Sequence, residues 1–376
     1  MSVSSLEITV GSLIPRLLLG PGPSPVSPRV LQATARPTLG HLDPQFLALL
    51  DDVNERLRGV FGTRNQLTFP ISGTGSAGME AALVNVLEPG DTAIIGVQGF
   101  FGERMTKMAT RMGAKVVAVE VEWGKAVEVD RLIEAHKKHP AARLLGVVHA
   151  ETSTGACRSL EDLGAYLRDH DTLFVVDAVT SLGGMPVEVD QIGIDICYSG
   201  TQKCIGALPG LAPITFSPRA SKRAHTRKIP STSWYLDVSL IENYIGAERR
   251  YHHTAPINLF YALHEALREL DEEGLQARYE RHARVGTRVK EELYSRGFIP
   301  FTDPSCRLAQ LTAVELPGRR DEAPLRAQLL ELHGIEVGGG LGPVKGKIWR
   351  VGLMGHGAHD ESIDRLLAGV DQLLGS

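Results

Sequence analysis

The run Val175-Val176-Asp177-Ala178-Val179-Thr180-Ser181-Leu182-Gly183-Gly184, followed by Tyr198-Ser199-Gly200-Thr201-Gln202-Lys203, decides the fold of this chain. An acidic residue closes an apolar strand-like run, and a lysine follows the next such run in a small, hydroxyl-rich loop. A carboxylate so placed holds a ring nitrogen protonated, and a lysine amine condenses with an aldehyde. Singly the two residues say little, because aspartates at strand ends usually cap helices and lysines are usually solvated. Their weight comes from the segments around them.

Outward from this run, apolar strand-like stretches alternate with helical ones, the rhythm of a parallel sheet covered on both faces. Strands are expected over 92–97, 115–121, 144–149, 173–177, 194–199 and 212–217, and helices over 102–112, 130–138 and 160–168. From about Leu259 the texture changes to long charged amphipathic helices, with Leu263, Leu267 and Leu270 on one face and 275–295 rich in Arg and Glu. Strands at 311–316 and 348–353 with a helix at 322–333 between them suggest a smaller α+β lobe. The organisation expected is an N-terminal extended arm over 1–20, a large domain over 21–275 and a small domain over 276–376. The Pro/Gly-rich stretch Leu17-Leu18-Leu19-Gly20-Pro21-Gly22-Pro23-Ser24-Pro25 cannot form a regular helix and reads as a segment crossing a surface.

Bulk properties mainly exclude. The chain has 376 residues, 43% of them hydrophobic, enough for one large core and a second smaller one. A net charge of −4 and a pI near 6.4 give no basic field, which argues against nucleic acid or an anionic membrane as partner. Residues 1–20 lack the pattern of a secretory signal, and no apolar run approaches the roughly 20 residues of a spanning helix. Cys157, Cys197, Cys204 and Cys306 show no metal-ligand spacing and read as reduced thiols, so the expected compartment is the cytoplasm. The end Gln372-Leu373-Leu374-Gly375-Ser376 carries no S-K-L type peroxisomal address.

Several short segments carry further chemistry. Ser72-Gly73-Thr74-Gly75-Ser76-Ala77-Gly78 opens an apolar helix. Small residues let the backbone approach an anion, hydroxyls and amides donate, and the helix dipole favours a phosphate. A plain helix cap is the alternative. Gln98-Gly99-Phe100-Phe101-Gly102 places an aromatic ring on a turn where it can stack on a flat heteroaromatic ring, or simply join the core. Glu151-Thr152-Ser153-Thr154-Gly155 follows a strand at the carboxyl-end crevice, where Thr152 reaches a ring oxygen or the hydroxyls cap the next helix. Arg249-Arg250-Tyr251-His252-His253-Thr254-Ala255-Pro256 resembles a histidine metal site, yet adjacent histidines diverge and no third ligand is in view. No metal is expected; a tyrosine and a threonine reaching a phosphate fit better. In Lys347-Ile348-Trp349-Arg350-Val351-Gly352 an arginine alternates with apolar residues, and a buried guanidinium demands either an anion such as a substrate carboxylate or an internal salt bridge.

Segments 18–24, 73–87, 151–155, 177–184, 199–203, 251–256 and 347–352 together resemble the class V aminotransferases of fold type I, particularly the alanine:glyoxylate and serine:pyruvate group. The resemblance spans nearly the whole chain. It implies an α/β fold, with a mostly parallel seven-stranded-type sheet flanked by helices and a smaller C-terminal α+β domain. It implies pyridoxal 5′-phosphate, a small amino acid such as alanine or serine and a small 2-oxo acid such as glyoxylate or pyruvate as substrates, ping-pong kinetics, and a homodimer with shared active sites. By the same resemblance Lys203 carries the cofactor as a Schiff base and Asp177 pairs with the pyridine nitrogen. Val179 and Phe101, where relatives often have tryptophan, cover the two ring faces. Thr74, Gly75, Ser76, where better-known relatives have histidine, and Gln202 hold the phosphate, joined by Tyr251 and Thr254 of the neighbouring subunit. Arg350 binds the substrate carboxylate, with Gly22 lining the same pocket.

Three other readings remain. (S)-Ureidoglycine:glyoxylate aminotransferases resemble the chain through Phe69-Pro70 and 346–350, but tend to have Gln where His41 stands and Asn where Tyr251 stands. A cysteine desulfurase-like enzyme normally has histidine before its lysine, where this chain has Gln202, and needs a mobile cysteine, for which Cys306 is the remaining candidate. An inactive cofactor-binding scaffold or a Rossmann-like partner protein would have no need of Lys203, Asp177 and Arg350 together.

Overall fold

Phe174 and Val176 of the strand Leu173–Asp177 point into one apolar core, while Leu173 and Val175 point into another. The two-residue period of an extended chain thus splits one continuous apolar run between two faces, as a strand buried on both sides requires. The same division recurs in Thr92–Val97, where Ile94 faces the first core and Ala93 and Ile95 the second. The computed structural model describes residues 9–375; of the expected arm, residues 1–8 lie outside the described residues, as does Ser376.

Seven strands form the main sheet in the order Leu67–Ser72, Leu211–Phe216, Ile196–Tyr198, Leu173–Asp177, Leu144–Val148, Thr92–Val97, Lys115–Glu120. The last five run parallel, while Leu211–Phe216 is antiparallel to both of its neighbours. Helices Pro44–Phe61 and Ile257–Glu273 supply much of the first core, and Gly75–Val84 and Phe100–Arg111 much of the second. Expected strands 92–97 and 173–177 match residue for residue; the others shift by one or two residues at their ends.

A second sheet, entirely antiparallel, orders Ile299–Pro300, Leu311–Glu315, Ile348–Gly352 and Gly338–Gly339. Helices Leu275–Ser295, Glu322–His333 and Asp360–Leu374 pack on it around Trp349, Val351 and Leu366. The N-terminal segment is extended, but from Leu17 it does more than cross a surface. Leu17–Leu18 pairs in parallel with Ile335–Glu336, and Leu19 is fully buried in the core of this second sheet. Leu19 explains the difference, because its side chain is worth more buried than on a wet face, while Leu17 and Leu18 stay half-buried. Among the described residues no helix is long and apolar enough to cross a membrane.

Candidate active site

The strands Leu67–Ser72, Thr92–Val97, Leu144–Val148, Leu173–Asp177 and Ile196–Tyr198 all end at one edge of the main sheet, where open α/β sheets bind their ligands. Their following loops enclose a cavity of about 220 Å³ lined by Thr74, Gly75, Ser76, Phe101, Thr152, Asp177, Val179, Gln202 and Lys203. Nine of the residues singled out from sequence therefore share one wall-to-wall space.

Asp177 is the last residue of its strand, which fixes its side chain at the cavity floor. Its Oδ1 accepts from the Val179 amide at 2.9 Å and its Oδ2 from the Tyr198 hydroxyl at 2.8 Å. Burial pushes this carboxyl up to about 6, opposed by those two donors. Lys203 is only 8% exposed, and burial brings its amine down to about 8. Its Nζ donates to the Pro21 carbonyl. The N-terminal segment also grips this loop through Ser24, whose amide donates to the Gln202 carbonyl at 2.9 Å and whose hydroxyl donates to the Lys203 carbonyl at 2.8 Å. Gly22 adopts φ +112°, and a Cβ there would lie 2.6 Å from Lys203 Nζ, so only glycine lets the backbone come this near the amine.

At the other end of the cavity, helix Gly75–Val84 begins with Thr74 as N-cap, whose side chain makes no capping bond. The amides of Gly75 and Ser76 donate to no acceptor among the described residues. Gln202 Oε1 is buried and unpartnered. Such groups ask for a ligand with oxygens at one place and hydrogen-bond donors at another. Val179 approaches from the side of Gly75, where an added Cβ would meet its Cγ2 at 3.1 Å. Phe101 sits in the first turn of helix Phe100–Arg111 rather than on a free turn. Its amide donates to Glu151 Oε2 at 3.1 Å.

Arg350 lies in Ile348–Gly352 of the second sheet, buried beside the cavity rather than lining it. Its Nε donates to the Gly339 carbonyl at 2.8 Å and its Nη1 to the Thr152 carbonyl at 3.1 Å, and it forms no ion pair among the described residues. Burial lowers it to about 10. The internal salt bridge weighed for it from sequence is therefore absent, and the guanidinium retains a claim on an anion.

Tyr251 and Thr254 are not brought to this cavity by their own chain. Both are exposed, their hydroxyls 3.4 Å apart, and the Tyr251 ring lies 5.0 Å from that of His41. His252 stacks at 4.4 Å on Trp234 and shares a 2.8 Å contact with His253. Cys306 is buried in the turn Pro304–Cys306 and does not line the cavity; burial pushes its thiol up. All four cysteines are free thiols.

Sequence reasoning missed three residues of the site. Tyr198 holds Asp177; Glu151, fully buried, ties the Phe101 and Gly102 amides to Ser153; Arg104 lines the cavity. Arg104 had a signal, since it stands three residues after Phe101 and four after Phe100, one helical face in common.

The chain is similar to known proteins over nearly its whole length. The family model described as Aminotransferase class-V matches residues 18–356. The chain is 40% identical to the alanine–glyoxylate aminotransferase of Callithrix jacchus, over 94% of this chain and 86% of that protein. It is 38% identical to the (S)-ureidoglycine–glyoxylate transaminase of Bacillus subtilis (strain 168), over 96% and 90%. The crystal structure of an alanine–glyoxylate aminotransferase from Nostoc sp. superposes with a TM-score of 0.95 at 46% identity, covering 98% of each chain. The two-sheet architecture is that of the fold type I aminotransferases. With a strand-end carboxylate, a buried loop lysine and a neighbouring guanidinium in the matched region, the chain belongs to the class-V aminotransferase family and is an aminotransferase.

Proposed function

We propose that the chain transfers the amino group of a small amino acid, alanine or serine, to a small 2-oxo acid, glyoxylate or pyruvate, with pyridoxal 5′-phosphate as cofactor. One observation carries the reading: a buried amine, Lys203, and a buried carboxylate, Asp177, share a cavity next to a guanidinium without a carboxylate, Arg350. The residues present suit the cofactor, with an amine for its aldehyde, a carboxylate for its ring nitrogen, and unpaired amides for its phosphate. When bound, it supplies an aldehyde carbon to which amines add and a protonated ring that withdraws electrons.

The chain's own residues would do the rest. Asp177 keeps the ring nitrogen protonated. Lys203, its amine already lowered by burial, would take a proton from the substrate Cα and return it to the cofactor's aldehyde carbon, on the far side of the amino nitrogen. Arg350 offers a two-pronged fork to the α-carboxylate, with Gly22 on the same side. Thr74, Gly75, Ser76 and Gln202 hold the phosphate, Thr152 the ring oxygen, and Val179 and Phe101 the ring faces. One site serves donor and acceptor in turn, so ping-pong kinetics are expected. Tyr251 and Thr254, exposed and outside their own cavity, are taken as the contribution of one subunit to the phosphate of its partner in a homodimer. Free cysteines support a cytoplasmic setting.

A ureidoglycine donor is the rival, given the Bacillus subtilis relative. His41 and Tyr251, their rings 5.0 Å apart, stand where ureidoglycine enzymes tend to have Gln and Asn, which favours alanine or serine. The test is a panel of alanine, serine and ureidoglycine against glyoxylate and pyruvate, compared by kcat/KM. Highest kcat/KM for alanine or serine is expected; a ureidoglycine value above both would reverse the choice of donor.

A further inference from the structure

We propose that Arg104 supplies the positive charge that holds the cofactor phosphate, an inference that rests on the pyridoxal 5′-phosphate reading above. The phosphate groups assigned from sequence, Thr74, Gly75, Ser76 and Gln202, are all neutral, yet the ligand they face is a dianion. Of the described residues lining the cavity only Lys203 and Arg104 are cationic, and the Lys203 amine is committed to the aldehyde end. Arg350, held at the Gly339 and Thr152 carbonyls, serves the substrate carboxylate. Two anions thus enter the site, and the second guanidinium stands where the first one does not reach.

Arg104 is built for that place. Its Nη1 donates to Ser76 Oγ at 2.6 Å, in the first turn of the helix whose Gly75 and Ser76 amides are unpaired. Its Cζ lies 4.8 Å from the centroid of the Phe101 ring and 5.2 Å from that of Phe100. Three and four residues apart on one helix, these rings form a platform that fixes the guanidinium while leaving its remaining donors free. It forms no ion pair among the described residues. The short side chain at Ser76 leaves room for the arginine to reach the helix end. A planar fork beside two helix-terminal amides is a strong receiver for a phosphate monoester.

The test separates phosphate recognition from pocket integrity. Protein stripped of cofactor, as wild type, Arg104→Gln and Arg104→Lys, is titrated with pyridoxal 5′-phosphate and with pyridoxal, which lacks the phosphate, following visible absorbance. Arg104→Gln is expected to weaken the phosphorylated aldehyde by about tenfold or more and to leave pyridoxal within about twofold, with Arg104→Lys intermediate. An equal loss for both aldehydes would show that Arg104 only shapes the pocket, and no loss for either would show that the phosphate is held without it; each result overturns the inference alone. Failure of the wild type to take up either aldehyde would instead overturn the cofactor reading, and this inference with it.

Discussion

The two ends of the cavity are finished to different degrees. At the floor both oxygens of Asp177 already have donors, the Val179 amide and the Tyr198 hydroxyl. At the helix end the Gly75 and Ser76 amides have no partners among the described residues. The fold therefore fixes the geometry of the charge that tunes a ring before any ligand arrives, and leaves the phosphate end for the ligand to complete. Electrostatic preorganisation of this kind belongs with chemistry, and unpaired donors belong with binding.

Lys203 is the amine proposed to carry the cofactor, so its loss should have the largest effect. Lys203→Ala is expected to abolish transamination, measured as oxo-acid formation, while any cofactor is held only noncovalently; turnover near that of the wild type would remove the lysine from its role.

The floor carries a stability penalty that the helix end does not. Because burial raises Asp177 from 3.8 to about 6, the folded state binds its proton more tightly than the unfolded one. Its contribution is fully present below pH 3.8 and is lost as pH rises through about 6, a change on the order of 3 kcal/mol. Denaturant unfolding of cofactor-free protein across this range should show the loss in the wild type and not in Asp177→Asn; parallel curves would mean the carboxylate is already compensated.

Arg350→Ala tests the third group at the site. It should raise KM for amino and oxo acids by roughly tenfold to a hundredfold, the worth of a charge-assisted fork, with the visible absorbance of loaded protein unchanged. An unchanged oxo-acid KM would break the carboxylate assignment. The smallest effect is expected for Tyr198→Phe, which removes one of the two donors to Asp177. A fall of about tenfold in kcat with KM within about twofold would sharpen the contrast between a tuned floor and a binding end. A change in KM alone would blur it.

Much of this was legible in the chain because central parallel strands, buried on both faces, read as unbroken apolar runs, and Leu173–Asp177 and Thr92–Val97 emerged residue for residue. Leu67–Ser72 was hidden by Pro70, which sits opposite Pro213 on the neighbouring strand at the sheet's edge, a position where a missing donor is tolerated. Helix Pro44–Phe61 carries start and stop signals in Asp43, whose side chain accepts from the Gln45 amide, and in Gly62 at φ +64°. Two of the residues missed at the site share a cause. Tyr198 meets Asp177 across adjacent strands, and Arg104 meets Ser76 across two helices, contacts that no local spacing encodes.

Borohydride reduction of protein loaded with pyridoxal 5′-phosphate, followed by peptide mass spectrometry, is the most direct test of a cofactor held between Lys203 and Asp177. A single pyridoxyl-phosphate mass on the peptide bearing Lys203 is expected. A label confined to other lysines, or none at all, would contradict it.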